Sequence, residues 1–278
     1  MQNNSYTLYV EINLSNLIFF VGKFDNEQKF VLKEKFISNN NKFKKNKFLN
    51  VDEISEFVEK NIKIIEDKLD CIFVDVIVIV ENFNLSCINV SSFKKLNGSQ
   101  LLKENISYIL NSLKLDIIEN NNNKRILHIF NSRSVLDGVE VKNIPIGLFG
   151  NFYTHELTFF LIENNEYKNI QQIFKKNNLN IKKLILKNYC EGINFFNQNS
   201  ENENFILIKV ENEISQINFF ENLSFRYSQT FNFGTNIILK DISKICSISN
   251  QIIEKFLEDN SFNNLNFNEK EILEEKYF

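Results

Sequence analysis

Apolar and polar positions follow two different periods along the chain. Tyr6–Val10 and Leu17–Val21 are short apolar runs joined by the polar turn Asn13–Asn16, with Gly22 closing the second, and Phe30–Ile37 follows as a third. Such runs predict a hairpin and a further strand. Over Asp52–Lys68 the period lengthens. Ile54, Phe57, Val58, Ile62 and Ile65 recur at helical spacing, and Asp52 is placed to cap the first turn. Cys71–Val80 is then almost continuously β-branched, which predicts a central strand covered on both faces. Strands, a helix and a buried strand in that order predict an α/β layer.

The middle is built differently. Ser99–Leu113 has a helical pattern with Ser99 as its cap, Asn120–Asn123 reads as a loop, Ile126–Phe130 and Phe152–Ile162 as strands, and Glu166–Asn177 as a helix. Between those strands lie the only Pro and three of the seven Gly: Asp137-Gly138, then Pro145, Gly147 and Gly150. In a chain so poor in both, this clustering predicts a backbone path with positive φ and one fixed φ; its plain reading is a tight surface turn. After Leu179–Leu186 the strand-rich pattern returns. Phe205–Val210, Ile214–Phe220 and Leu223–Phe231 read as a meander, with helices around Ile237–Ile245 and Ile252–Leu257. Each outer part therefore runs three strands and then a helix, an internal duplication with an insert between, and the polar stretch Asn197–Asn204 reads as a boundary.

Composition narrows the function classes. The 278 residues are 43% apolar, enough for a sizeable core. Thirty-two basic against 35 acidic residues give a net charge of −3, which excludes the broadly cationic face that duplex DNA selects. Four scattered Cys fit a reduced, cytosolic chain, and neither a secretory signal nor a run of ~20 apolar residues is present. Over-use of Asn, Lys, Ile and Phe reflects AT-rich coding, so single residues of these types say little.

Candidate chemistry is sparse. His128 and His155 are the only histidines, both on apolar strand-like segments, and read as satisfied core or edge residues. No Cys lies near another Cys or His, so a zinc site has no local support. No two Gly are adjacent, and Gly147 and Gly150 alone have loop-like spacing, so a phosphate cradle is weakly supported. The basic, aromatic stretch Lys42–Phe48 and the acidic Glu269–Glu275 read as solvated surface.

One set of residues resembles a known family. Arg125-Ile-Leu-His-Ile-Phe130, Val135-Leu-Asp-Gly-Val139 and Ile144-Pro-Ile-Gly-Leu-Phe-Gly150, in that order, resemble the inserted SHS2-type subdomain of the bacterial cell-division protein family FtsA. The resemblance implies an actin-like, ribonuclease H-like duplicated α/β fold: residues 1–81 and 181–197 in the first half, the SHS2-type α+β insert over 82–180, and 198–278 as a truncated second half. PilM-type pilus-assembly scaffolds share this architecture. The family binds ATP with Mg between its halves on two Gly-rich phosphate hairpins. Here those hairpins fall on Glu11, Asn13 and Ser15, and on Lys209, Glu211 and Ser215, with Gly234 and Asp241 in a third segment.

The glycines of the second hairpin are lost, and Glu211 and Glu213 place negative charge where phosphates would rest. Like charges at ~4 Å repel by about 4 kcal/mol at an effective dielectric of 20. The expectation is a degenerate nucleotide site, no catalytic residues, no metal, no cofactor and no enzymatic activity. The implied role is a division-site scaffold whose insert turn (Asp137, Gly138, Pro145, Gly147, Gly150) serves protein contacts. Implied partners are other division proteins, FtsZ and further copies of the chain, with no nucleic acid. The cytoplasmic face of the inner membrane would be reached indirectly or through a C-terminal helix beyond Phe278. The alternatives are a working ATPase of the actin/Hsp70 type and a PilM-like pilus scaffold.

Overall fold

A computed structural model describes residues 6–13, 16–27, 29–39, 43–44, 47–48, 50–81, 85–199 and 201–259. The chain divides into two units. The first comprises Met1–Phe205 and Phe219–Tyr227, the second Ile206–Asn218 and Ser228–Phe278.

The first unit opens with β1 (Thr7–Ile12), β2 (Asn16–Phe24) and β3 (Phe30–Asn39), an antiparallel meander, followed by the short hairpin β4 (Phe43–Lys44) and β5 (Lys47–Phe48). Helix α1 (Val51–Leu69) crosses back to β6 (Asp75–Val80), which pairs parallel with β1. Asn50, rather than Asp52, caps α1, its side-chain oxygen accepting from the Asp52 and Glu53 amides at 3.0 and 3.2 Å. Asp52 instead pairs with Lys176. The predicted central strand starts only at Asp75, because the Phe73 amide donates to Glu66 Oε1 and holds the preceding residues in a loop.

A second sheet is inserted after β6. It contains β7 (Leu85–Lys95), β8 (Lys124–Leu136), β9 (Val139–Val141) and β10 (Phe152–Glu163) in the order β7-β10-β8-β9, with α2 (Lys103–Asn120) packed on it through Ile109, Leu113 and Ile117. Ser99 does not cap α2. Its carbonyl accepts from the Gly150 amide, and Leu101 exchanges hydrogen bonds with Gly147 and Leu148, so the helix begins at Lys103.

Helix α3 (Asn164–Lys176) then returns to α1, where Ser55 and Asn177 join the two helices by hydrogen bonds. β11 (Asn180–Leu186) pairs parallel with β6 and completes the order β11-β6-β1-β2-β3. The core of this layer joins Leu8, Val10 and Ile12 of β1 to Ile54, Val58, Ile62 and Ile65 of α1. Burying each such side chain contributes about 1.5–3 kcal/mol. Helix α4 (Lys187–Gln198) was not anticipated, because Gly192 sits at its centre. That glycine is needed: a Cβ there would lie 2.0 Å from the Phe220 ring, which stacks between Phe205 and Phe225.

The meander of the second half, β12 (Phe205–Val210), β13 (Ser215–Glu221) and β14 (Ser224–Phe231), matches the predicted strands closely, as do α5 (Asn236–Cys246) and α6 (Asn250–Asp259). The stacked rings of Phe205, Phe220 and Phe225 belong to the first unit's core. In the second unit, Leu239, Ile242 and Cys246 of α5 close a smaller core with Ile248 and Ile253.

Candidate functional site

In parallel α/β sheets, ligands gather at the carboxyl ends of the strands. In the first unit those ends belong to β1, β6 and β11, where Ile12, Val80 and Leu186 share one row of the register. Strand alternation points these three into the core and turns Glu11, Glu81 and Lys187 to the opposite face. The Lys187 ammonium stands 2.8 Å from Glu11 Oε1 and 2.8 Å from Glu81 Oε2, with Glu191 4.0 Å away. Both carboxylates are buried. Burial opposes the Lys187 charge, but its hydrogen bonds to Glu11 and Glu81 and their fields outweigh that and raise its pKa above the ordinary lysine value.

An ammonium has three donors, and two are committed to these carboxylates. An anion arriving here would meet two carboxylates and one cation already engaged. Asn13 turns inward as well. Its Nδ2 donates to Glu11 Oε1 at 3.4 Å, and its Oδ1 accepts the Asn16 amide at 2.7 Å, so the β1–β2 turn spends these groups on itself. Ser15 lies outside the described residues.

Helix α4 also carries Cys190. Burial pushes its thiol up, and the charges of Glu191 and Glu11 add to the rise, so it is a protonated thiol at neutral pH and a poor nucleophile.

In the second unit the structure brings Glu211, Ser215 and Gly234 together. Gly234 sits against the β12–β13 turn so closely that a Cβ would lie 1.9 Å from the Glu211 carbonyl oxygen and 2.7 Å from Asn212. The amides of Thr235 and Asn236, where α5 begins, donate to the Glu211 and Asn212 carbonyls at 2.9 Å each. Ser215 Oγ donates to the Phe233 carbonyl at 2.8 Å. Helix N-termini bind phosphate through free amides. Here those two amides serve the chain's own carbonyls. Lys209 is half-buried on β12, and Asp241 lies within α5.

The insert turn is rigid. Asp137 and Gly138 both have positive φ (49° and 83°), the backbone of a two-residue Asp-Gly hairpin between β8 and β9. The Asp137 carboxylate accepts the Asn151 amide at 2.8 Å and the Phe152 amide at 2.7 Å. Gly147, at φ 88°, donates to the Leu101 carbonyl, and a Cβ at Gly150 would lie 2.6 Å from Leu136. On this frame Ile146, Leu148 and Phe149 are exposed.

Both histidines sit in the insert sheet. His128 Nε2 accepts the Leu186 amide at 3.3 Å, beside Lys187, and burial lowers its pKa to about 4. His155 is buried against Asn131, its Nδ1 has no partner, and burial lowers its pKa too. Among the described residues no group of three or more His, Cys, Asp or Glu could hold a metal ion, and no helix is long and apolar enough to cross a membrane.

Sequence reasoning found Glu11 but missed Glu81 and Lys187. Their signal was a charged residue directly after each buried strand. At the other end of β1 and β6 lies a groove of about 480 Å³ lined by Tyr6, Tyr9, Phe24, Ile72, Val74 and Lys182. The basic stretch at 42–48 falls largely outside the described residues, and the acidic one at 269–275 wholly so.

No family model and no curated protein sequence matches the chain. Solved structures do. The PilM–PilN type IV pilus biogenesis complex matches at 8% identity over 97% of this chain and 73% of the other, with a TM-score of 0.61. The ethanolamine utilization protein EutJ from Carboxydothermus hydrogenoformans matches at 7% identity, 97% and 65% coverage and a TM-score of 0.46. A protein of actin-like ATPase fold from Bacteroides thetaiotaomicron matches at 11% identity, 88% and 77% coverage and a TM-score of 0.39. With its two strand–strand–strand–helix halves and its parallel β1–β6–β11 crossovers, the chain has an actin-like α/β fold, shared with the PilM–PilN complex.

Proposed function

We propose that this chain is a non-enzymatic, actin-like scaffold that works through protein contacts in an inner-membrane assembly machine, of the pilus-biogenesis kind rather than the division kind. The observation that carries the reading is Lys187, which fills the space between Glu11 and Glu81 at the carboxyl ends of three parallel strands. With the α5 amides bound to Glu211 and Asn212, the groups expected to hold phosphates are engaged within the protein. ATP and Mg then bind weakly or not at all. The contact surface is the insert turn, where a braced backbone presents Ile146, Leu148 and Phe149 to a partner.

The likeness to the PilM–PilN type IV pilus biogenesis complex supports an assembly protein as partner; the proposed location is the cytoplasmic face of the inner membrane. An FtsA-type division role, with FtsZ among its partners, is the second reading. The Asp137-Gly138 and Pro145-x-Gly147-x-x-Gly150 turns favour it. Phosphate release by purified protein with Mg·ATP tests the non-enzymatic reading: release at buffer background is expected, and saturable turnover overturns it. Genes for pilus inner-membrane proteins beside this one are expected; division genes there would favour the second reading.

A further inference from the structure

The apolar residues of the insert turn are exposed in a part of the chain described without gaps. Residues 85–199 are all placed, so β7, β8, β9, β10, α2 and the loops joining them stand around the turn. There Leu102 is 49% exposed, Ile146 46%, Leu148 53% and Phe149 69%. Their backbone is held by a ladder between two segments. The Leu101 amide donates to the Leu148 carbonyl at 2.9 Å, the Gly147 amide to the Leu101 carbonyl at 2.8 Å and the Gly150 amide to the Ser99 carbonyl at 3.2 Å. Leu101 itself is buried in the insert core. A surface already ordered in this way loses little entropy when a partner docks, and contiguous exposed apolar side chains mark contact sites.

The charges around the turn decide what fits it. Lys95 ends β7 and Lys103 opens α2, while the Lys94 ammonium lies 4.6 Å from the centre of the Tyr108 ring. Among the described residues none of these three lysines has an ion-pair partner. The acidic groups of the insert are mostly engaged. Glu140 pairs with Arg133 at 2.8 Å, and the Asp137 carboxylate accepts the Asn151 and Phe152 amides. Lys142 is neutralised by Glu203 at 2.6 Å. Glu104 is exposed and opposes the lysines. Against it stands the N-terminal end of α2, where the Lys103 and Glu104 amides have no acceptor among the described residues and add positive partial charge.

We infer that the insert turn docks an acidic, apolar segment of a partner protein. Large apolar side chains of that segment meet Leu148 and Phe149, and its Asp or Glu residues meet Lys95 and Lys103. The inference rests on the scaffold reading above and names the chemistry of its partner. A two-fold pairing of the turn with its own copy would set these lysines against each other. An anionic lipid surface suits clusters of about 4–8 basic residues, whereas here Glu104 stands among three lysines.

The probe is a display library of short random peptides, panned on the whole chain and counter-selected on Phe149→Ser. Peptides lost on that variant should carry Asp or Glu beside two or more large apolar residues. Titrated by fluorescence anisotropy, such a peptide should bind about tenfold more weakly or worse to Lys95→Glu with Lys103→Glu, and more weakly as salt rises. Both variants should keep the wild-type melting temperature, since the altered side chains are exposed. Phe149-dependent peptides that are basic or uncharged, or no such peptides, would overturn the inference. So would an unchanged affinity for the double lysine variant, or a turn taken up by a second copy or by phosphatidylglycerol vesicles instead. Phosphate release from Mg·ATP, which tests the scaffold reading, is measured apart from these titrations, so either can fail alone.

Discussion

Replacing Lys187 by Met keeps the length and apolar stem of the side chain and removes its charge. At an effective dielectric near 20, each 2.8 Å contact with Glu11 and Glu81 contributes ~6 kcal/mol of Coulomb attraction before desolvation. Burial takes much of this back, but removing the cation leaves two buried carboxylates facing each other without it. Breaking a buried ion pair in this way costs about 3–5 kcal/mol. For a chain of this size that corresponds to a fall in melting temperature of about 10 °C.

Urea denaturation at pH 7.5, followed by far-UV circular dichroism, measures the loss. Adding Glu11→Gln and Glu81→Gln to Lys187→Met should recover all but about 1–2 kcal/mol, because both buried carboxylate charges are then gone. A loss below about 1 kcal/mol for Lys187→Met at pH 7.5 would refute the reasoning. So would a triple variant less stable than the single one.

Other perturbations probe the neighbouring parts. His128 has a folded pKa of about 4 against an ordinary 6.5, so the unfolded chain binds its proton first. Its contribution is complete above pH ~6.5 and is lost as pH falls toward 4, by up to about 3 kcal/mol, with His155 acting in the same direction. His128→Gln, which can still accept the Leu186 amide, should flatten that acid limb in a urea series. Gly192→Ala, normally favourable in a helix, should instead cost about 1–3 kcal/mol, because the added methyl meets Phe220 at 2.0 Å; an unchanged melting temperature would contradict the packing. Asp137→Ala should cost about 1–3 kcal/mol and raise the exchange rate of the Asn151 and Phe152 amides, which lose their acceptor.

Much of this architecture was legible as periodicity. The meander and helices of the second half fall within a residue or two of their predicted places because each apolar run is bounded by polar turns. The same holds for Asp137-Gly138, where residue type alone demands positive φ. What escaped was decided by tertiary contact. β7 mixes Ser and Asn with apolar residues and is not among the expected strands; β10 pairs along its whole length. Helix α2 starts late because Ser99 and Leu101 are held by the 147–150 loop. At the site, Glu11 could be placed by analogy, whereas Glu81 and Lys187 are 70 or more residues away in sequence and meet only because three parallel strands end together. The loss of glycines was visible beforehand; that Gly234 is spent on the Glu211 carbonyl was not.

If, as proposed, Lys187 and the carbonyls of Glu211 and Asn212 occupy the positions a nucleotide would need, Mg·ATP has nowhere to bind, and calorimetric titration of the whole chain with Mg·ATP decides this. Heats indistinguishable from dilution are predicted up to nucleotide concentrations on the order of 1 mM. A saturable isotherm with a dissociation constant in the micromolar range would contradict it.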